Sequence, residues 1–136
     1  MNNYIFVLLK FFQDFAIKLE KENIISPIDK RNINIDFQSN NKQGDLASNF
    51  FLIIKKKIIN DNFNFETTLK NDISKLSFIN NFIISQNGFI NIFLKKSFIF
   101  NSLKRIYNKS YVNELNFGEN KKINIEFVSA NPTGPI

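Results

Sequence analysis

Residues 78–94 read FINNFIISQNGFINIFL, two Phe- and Ile-rich runs separated by the dipeptide Asn87-Gly88. The composition of both runs is typical of β-strands. Asn-Gly suits a two-residue type I′ turn, because both of its positions tolerate a positive φ. The stretch therefore predicts a β-hairpin in which Gln86 lies opposite Phe89 and Ile84 lies opposite Asn91.

Alternation along the two strands predicts which side chains share a face of the hairpin. Gln86, Phe89 and Asn91 are expected together on one face at the hairpin tip. An exposed aromatic ring flanked by amides has the composition of a platform on which an unpaired nucleobase stacks. The alternative is that Phe89 is an ordinary core residue, since the chain contains 17 Phe. The opposite, core-facing side of the hairpin is expected to hold Ile83, Ser85, Ile90, Ile92 and Leu94.

The amino terminus has the spacing of an amphipathic helix. Its apolar stripe comprises Ile5, Leu8, Leu9, Phe12, Phe15, Ala16 and Leu19. The apolar run Tyr4–Leu9 is too short for a membrane span of about 20 residues, and no basic residue precedes it as in a signal peptide. We therefore expect a soluble, cytoplasmic protein that does not bind a membrane.

The other segments alternate between helical and extended patterns. In the first half of the chain the sequence predicts a linker over Glu22–Arg31, a strand over Asn32–Phe37, a helix capped by Asp45 and a short helix over Phe65–Leu76. After the hairpin it predicts a helix over Lys95–Lys109, a loop over Tyr111–Asn120 and a strand over Lys122–Ser129. The inward-facing residues of the helix over Lys95–Lys109 are expected to be Phe98, Leu103, Ile106 and Tyr107. Such a mixture favours an α+β fold, a two-layer α/β sandwich built on a small, mostly antiparallel sheet.

The composition of the 136-residue chain excludes several kinds of active site. It contains no Cys, which removes disulfides, thiol nucleophiles and Cys-ligated zinc. It contains no His, which removes the commonest general base and metal ligand. We expect no metal site and no catalytic residue in the chain, which is a poor candidate for a self-contained enzyme.

The net charge of +6 is concentrated in one part of the sequence. No acidic residue occurs between Asp72 and Glu114, whereas this stretch contains Lys75, Lys95, Lys96, Lys104, Arg105 and Lys109. Such a run is compatible with a solvated helix face and with a surface that attracts nucleic acid.

Three motifs resemble segments of one family, the class I arginyl-tRNA synthetases. The carboxyl-terminal string Glu126–Ile136, EFVSANPTGPI, resembles the segment that precedes the family's His-x-Gly-His signature. Gln43–Asn49, QGDLASN, resembles the family's His-Gly-Asp-Tyr-Ala-Thr-Asn segment, with Gln43 and Leu46 as departures. Asn87–Leu94 resembles its Pro-Gly-Phe-Ile-Asn-Phe-x-Leu segment, with Asn87 replacing Pro. The chain ends immediately before the expected first histidine, so we expect an amino-terminal fragment.

The resemblance implies that the first domain contacts the D-loop at the elbow of an arginine-specific tRNA. The residues that match the family's tRNA contacts, together with nearby basic residues, are Gln86, Phe89, Asn91, Lys95 and Lys96. It also implies a monomeric parent enzyme that uses ATP and Mg²⁺ to attach arginine to tRNA. The arginine pocket of that enzyme would include Glu126, Ser129 and Asn131. The approach to the signature motif would comprise Ala130, Asn131, Pro132, Thr133, Gly134, Pro135 and Ile136.

The resemblance further predicts two domains. Residues 1–117 are expected to form the tRNA-binding additional domain, and residues 118–136 the first strand and turn of a Rossmann-like catalytic domain. The isolated chain is then expected to be catalytically inactive. The alternative is a freestanding tRNA- or RNA-binding module without catalysis.

Overall fold

The computed structural model describes residues 4–39, 43–60 and 62–108, together with residues 122 and 124. Within these residues the fold is α+β, with a four-stranded sheet and four α-helices. In chain order the elements are α1 (Tyr4–Lys21), a 3₁₀ turn (Lys30–Asn32), β1 (Ile35–Phe37), β2 (Leu46–Ser48), α2 (Phe50–Ile54), α3 (Phe65–Ile73), β3 (Ile79–Ile84), β4 (Ile90–Leu94) and α4 (Lys96–Tyr107).

The sheet has the strand order β1-β2-β4-β3, and every neighbouring pair is antiparallel. Two hairpins, β1-β2 and β3-β4, thus join side by side through the pairing of β2 with β4. The central pairing places Leu46 opposite Ile92 and Ser48 opposite Ile90. The expectation of an α+β fold on a small antiparallel sheet is confirmed.

One face of the sheet is covered by helices, and the core lies between the two layers. α1 supplies five buried residues: Leu8, Phe12, Phe15, Ala16 and Leu19. The ring centroids of Phe12 and Phe50 are 5.0 Å apart, which brings α1 and α2 together. Leu46, Ile90 and Ile92 of the sheet belong to the same core. The predicted apolar stripe of α1 is therefore confirmed, with Ile5 and Leu9 half-buried at its margin.

The segment predicted as a linker, Glu22–Arg31, connects α1 to the 3₁₀ turn and β1, but it also packs into the core, which the sequence did not indicate. Asn23, with a φ of +54°, ends the helix in the left-handed conformation that Asn tolerates. Ile24 and Ile25 are buried, and Ile25 forms an isolated bridge with Ile58. The mixed charges around these residues obscured them, because the segment follows neither the helical nor the strand period.

The helix predicted from Asp45 begins later than expected. Leu46–Ser48 is a strand, and α2 starts only at Phe50. Asp45 does not cap a helix; its Oδ2 accepts a hydrogen bond of 2.7 Å from the Leu94 backbone N–H. The pairing with β4, which is remote in sequence, overrides the helical spacing of the apolar residues. α3, in contrast, lies where the short helix was predicted.

The edge strand β1 ends at Phe37, which pairs with Leu46 and is 69% exposed. The expectation about the inward face of the last helix, α4, was wrong for three of its four residues. In α4, Phe98 is half-buried against the rings of Tyr4 and Phe78. The other three residues expected to face inward, Leu103, Ile106 and Tyr107, are exposed.

Candidate nucleic-acid interface

The turn between β3 and β4 contains three residues, Gln86, Asn87 and Gly88, rather than two. Gly88 has a φ of +87°, whereas Asn87 is not among the described residues with a positive φ. Ser85 accepts a hydrogen bond of 2.9 Å at its carbonyl from the Gly88 N–H, and its own N–H donates to the Phe89 carbonyl at 2.8 Å. A left-handed Gly at the third position is typical of three-residue hairpin loops, and it excludes the predicted type I′ turn.

The additional turn residue moves the register by one position. Ile84 pairs with Ile90, and Ile83 pairs with Asn91, where the prediction paired Ile84 with Asn91. A shift of one residue exchanges the two faces of a strand. Ile83 is accordingly 53% exposed, and its predicted place in the core was wrong. Ser85 is likewise paired with Phe89 instead of facing the core.

Phe89 and Asn91 nevertheless share one face, the open face of the sheet. In β4 the core-facing residues Ile90 and Ile92 are fully buried, so the residues that alternate with them point away from the helices. The Phe89 ring is 38% exposed. Gln86 is exposed as well, but it lies in the turn and is not part of the strand.

Ser85 holds the Phe89 backbone through its hydroxyl group. The Ser85 Oγ donates to the Phe89 carbonyl at 3.1 Å and accepts from the Phe89 N–H at 3.1 Å. Together with the backbone bond between the same residues, these contacts restrain the base of the Phe89 side chain. A half-exposed ring on a restrained backbone can stack on an aromatic ligand at little cost in conformational entropy.

Asn91 lies in the middle of the open face, between Ala47 of β2 and Ile83 of β3. Its Oδ1 accepts a hydrogen bond of 3.5 Å from the Gln38 Nε2, and its Nδ2 makes no hydrogen bond to another described residue. The Asn91 amide therefore has a donor that no described residue uses. Sequence reasoning missed Gln38, although it continues the polar positions that alternate along β1.

The two lysines assigned to this interface lie elsewhere. Lys95 and Lys96 follow the carboxyl end of β4, six and seven residues after Phe89. At about 3.4 Å per residue, the strand separates Lys95 from Phe89 by about 20 Å. Both lysines instead line a cavity of about 580 Å³ that also includes Asp45 and Phe93. The structure does not bring them to the hairpin tip.

A different lysine lies at the hairpin tip. The Lys55 Nζ is 3.2 Å from the point that a Cβ on Gly88 would occupy. Lys55 immediately follows α2, and it is exposed. Sequence reasoning did not assign Lys55 to this interface, because nothing local relates residue 55 to residue 88.

The Gly44-Asp45 pair joins the first hairpin to β4. Gly44 has a φ of +117°, and a Cβ there would lie 3.0 Å from the Ile92 carbonyl oxygen. The Asp45 N–H donates to that same oxygen at 2.9 Å. This motif therefore supports the strand that carries Asn91 and does not open a helix.

The carboxylates with perturbed pKa values belong to the helical layer. Hydrogen bonds from Lys18 and Lys75 lower the pKa of Asp72. Burial raises the pKa of Glu20, but hydrogen bonds from Lys30 and the Ile28 N–H outweigh it and leave the pKa lowered. These ion pairs connect secondary-structure elements and are not part of the open sheet face.

The described part of the chain contains no cluster of three or more acidic, His or Cys side chains that could hold a metal ion. No helix in that part is long and apolar enough to cross a membrane. The sites predicted at Glu126, Ser129 and Ala130–Ile136 lie outside the described residues, as does the strand predicted over Lys122–Ser129 apart from residues 122 and 124.

Comparison with known proteins agrees with the motifs. A family model described as "Arginyl tRNA synthetase N terminal domain" matches residues 11–94, a range that includes both hairpins of the sheet. The chain is 38% identical over 93 residues to an arginine–tRNA ligase of Orientia tsutsugamushi, a match that covers 68% of this chain and 16% of the relative. The chain belongs to the arginyl-tRNA synthetase family, and residues 11–94 correspond to its amino-terminal domain.

Other relatives extend the similarity along the chain. An arginine–tRNA ligase of Caldanaerobacter subterraneus is 31% identical over 129 residues, covering 86% of this chain and 21% of the relative. One of Bartonella quintana is 34% identical over 142 residues, covering 94% of this chain and 23% of the relative. The chain thus spans about a fifth of the length of the curated relatives it matches.

Proposed function

We propose that the chain is the amino-terminal part of an arginine–tRNA ligase and that its open sheet face recognises the D-loop of arginine-specific tRNA. The supporting observation is the placement of Phe89 and Asn91 on one accessible face of β4. The ring offers a stacking surface, and the amide offers a hydrogen-bond donor to a base edge. Gln86, exposed in the adjacent turn, supplies a second amide.

The charge of the chain fits a nucleic-acid partner. Its net charge of +6 favours association with a polyanion, and the attraction weakens as salt rises. In this proposal Lys95 and Lys96 contribute phosphate contacts at the other end of β4, about 20 Å from the stacked base. A folded tRNA is large enough to reach both places at once.

The catalytic part of the proposal concerns the family activity, ATP-dependent attachment of arginine to tRNA with Mg²⁺. Residues 1–117 form the tRNA-binding domain, and residues 118–136 begin a Rossmann-like catalytic domain. Glu126 would pair with the positive groups of arginine, while Ser129 and Asn131 would orient its polar ends. Residues 130–136 would lead into the ATP site. We propose a monomeric, cytoplasmic parent enzyme.

The central test is tRNA binding by the purified chain and its variants. Phe89→Ala is expected to weaken binding of arginine-specific tRNA by about 1–3 kcal/mol, or about 5- to 150-fold, because one stacking contact is lost. Phe37→Ala is the matched control, since it removes another exposed Phe from the same sheet. Equal affinities for the two variants would refute recognition through Phe89.

A second assay addresses catalysis. The chain alone is expected to show no arginine-dependent exchange between ATP and pyrophosphate, because the proposal places no catalytic residue within it. Exchange above a blank without arginine would contradict this division of the activity.

A further inference from the structure

The end of α2 packs directly against the turn of the β3-β4 hairpin. A Cβ on Gly88 would lie 3.3 Å from the Leu52 Cα and 3.2 Å from the Lys55 Nζ. Gly88 therefore lies in close contact with α2. This contact places the Lys55 ammonium group beside Gly88, the residue directly before Phe89.

Lys55 begins a run of three exposed cations, Lys55, Lys56 and Lys57. None of the three forms an ion pair with another described residue. Within the described part of the chain, no carboxylate neutralises their charges. The five-residue helix α2 ends at Ile54, directly before this run, and the negative end of a helix dipole favours cations at its carboxyl terminus.

The backbone of this run is held in position at both ends. The Lys55 N–H donates to the Phe51 carbonyl at 2.9 Å, and the Lys57 N–H donates to the Ile54 carbonyl at 2.7 Å. The Lys57 carbonyl accepts from the Ser26 N–H at 2.8 Å. The ammonium groups are therefore carried by a fixed backbone, which reduces the entropy lost on binding.

A nucleotide whose base stacks on Phe89 must place its phosphates near the hairpin tip, because base, sugar and phosphate are covalently joined. Lys95 is too distant for that contact, at about 20 Å along the strand. Lys55 is the cation that the structure places beside the turn. An ammonium group is a strong partner for a phosphate as a point charge.

We propose that Lys55, as the first residue of this basic run, binds an RNA backbone phosphate that flanks the nucleotide stacked on Phe89. The inference rests on the proposed tRNA recognition and adds a phosphate contact on the α2 side of the hairpin. Lys55 supplies affinity without reading the base, while Phe89 and Asn91 supply the contacts to the base itself.

The test measures binding of arginine-specific tRNA across a salt series. Lys55→Ala is expected to weaken binding and to reduce the slope of log K against log salt by about 1, because one phosphate contact is lost. Lys55→Arg is expected to retain the slope. Lys10→Ala removes the same charge from an exposed position on α1, and its slope is expected to match that of the unmodified chain. Thermal unfolding of each variant verifies the fold.

A double-mutant cycle tests whether Lys55 and Phe89 act on one nucleotide. The fold-loss of tRNA affinity in Lys55→Ala/Phe89→Ala is expected to differ by about twofold or more from the product of the fold-losses in the two single variants. In the control pair, Lys10→Ala/Phe89→Ala, the fold-loss is expected to equal the product of the two single fold-losses. If Phe89→Ala weakens binding but Lys55→Ala behaves like Lys10→Ala, the Lys55 inference is wrong and the proposed function stands. If Phe89→Ala matches Phe37→Ala, the proposed function itself fails.

Discussion

Ser85 and Phe89 are joined by three hydrogen bonds, two of them through the Ser85 hydroxyl group, which donates to the Phe89 carbonyl and accepts from the Phe89 N–H. These bonds close the three-residue turn, and they agree with the register in which Ile84 pairs with Ile90. The same register leaves the Phe89 ring on the open face. A single serine hydroxyl group therefore links the shape of the turn to the accessibility of the proposed stacking surface.

Ser85→Ala is expected to lower the free energy of unfolding by about 0.5–1.5 kcal/mol, because the hydroxyl-mediated bonds are lost at a solvent-exposed site. Chemical denaturation of the chain measures the change. Ser102→Ala is the control, since its Oγ donates only to the Phe98 carbonyl within α4 and its removal should be nearly neutral. An equal effect in both variants would argue against a particular role for Ser85.

The elements that sequence reasoning recovered are those whose patterns are local. α1 follows from its apolar stripe, and the strands around residue 87 follow from their composition. The turn length could not be deduced, because Asn-Gly fits a type I′ turn as well as a turn with left-handed Gly alone. In the observed turn the Ser85 hydroxyl group bonds to the Phe89 backbone, a contact that the dipeptide does not reveal.

The remaining errors come from contacts between residues that are remote in sequence. Leu46 has both helical and strand-compatible neighbours, and its pairing with Phe37 on one side and Ile92 on the other makes the segment a strand. Phe89 and Asn91 were correctly grouped, because alternation within one strand does not depend on the partner's register. Lys55 and Gln38 were missed, because each reaches the hairpin from a different part of the chain.

Gly44→Ala is expected to destabilise the chain more than Gly88→Ala. Both positions have a positive φ, which costs about 1–3 kcal/mol for other residues. At Gly44 the new Cβ also meets a backbone oxygen, that of Ile92, at 3.0 Å. At Gly88 its nearest neighbour is the flexible end of Lys55 at 3.2 Å, and the nearest backbone atom, the Leu52 Cα, lies at 3.3 Å, a looser backbone contact than at Gly44. Denaturation midpoints measure both losses, and a larger loss for Gly88→Ala would contradict the comparison.

Gln38→Glu is expected to change which base is preferred next to Phe89. The introduced carboxylate can only accept hydrogen bonds, so the Asn91 amide should turn and present its oxygen instead of its Nδ2. Two tRNAs are compared, one whose D-loop base at the contacted position offers an acceptor to Asn91 and one whose base offers a donor. The ratio of their affinities should then shift by about tenfold.

The control for this change is Gln43→Glu, which adds the same negative charge at an exposed residue. It should lower affinity for all of the tRNAs by a similar factor and leave the ratio unchanged. An unchanged ratio in Gln38→Glu would show that Gln38 does not orient Asn91 in the complex.

Acid stability is expected to depend on Asp72, which joins α1 to α3 through a bond of 2.8 Å from Lys18. The hydrogen bonds from Lys18 and Lys75 lower the pKa of Asp72 in the folded chain below the ordinary value of 3.8. The folded state therefore binds this proton less readily than the unfolded state does. The stabilisation is fully present above the ordinary pKa and is lost as pH falls through the lowered pKa. Because the chain has no His, no comparable imidazole transition is expected near neutral pH.

Unfolding experiments from neutral to strongly acidic pH measure this dependence. Asp72→Asn should be less stable than the unmodified chain at neutral pH, and its stability should fall less steeply below the ordinary pKa of the carboxyl. Asp14→Asn, at an exposed residue of α1 that forms no ion pair with another described residue, should keep the acid dependence of the unmodified chain. If Asp72→Asn and the unmodified chain lose stability in parallel as pH falls, the contact between α1 and α3 does not depend on the charge of Asp72. Glu20 and Asp29, whose pKa values are also lowered, are then the described carboxylates whose protonation accounts for the acid dependence.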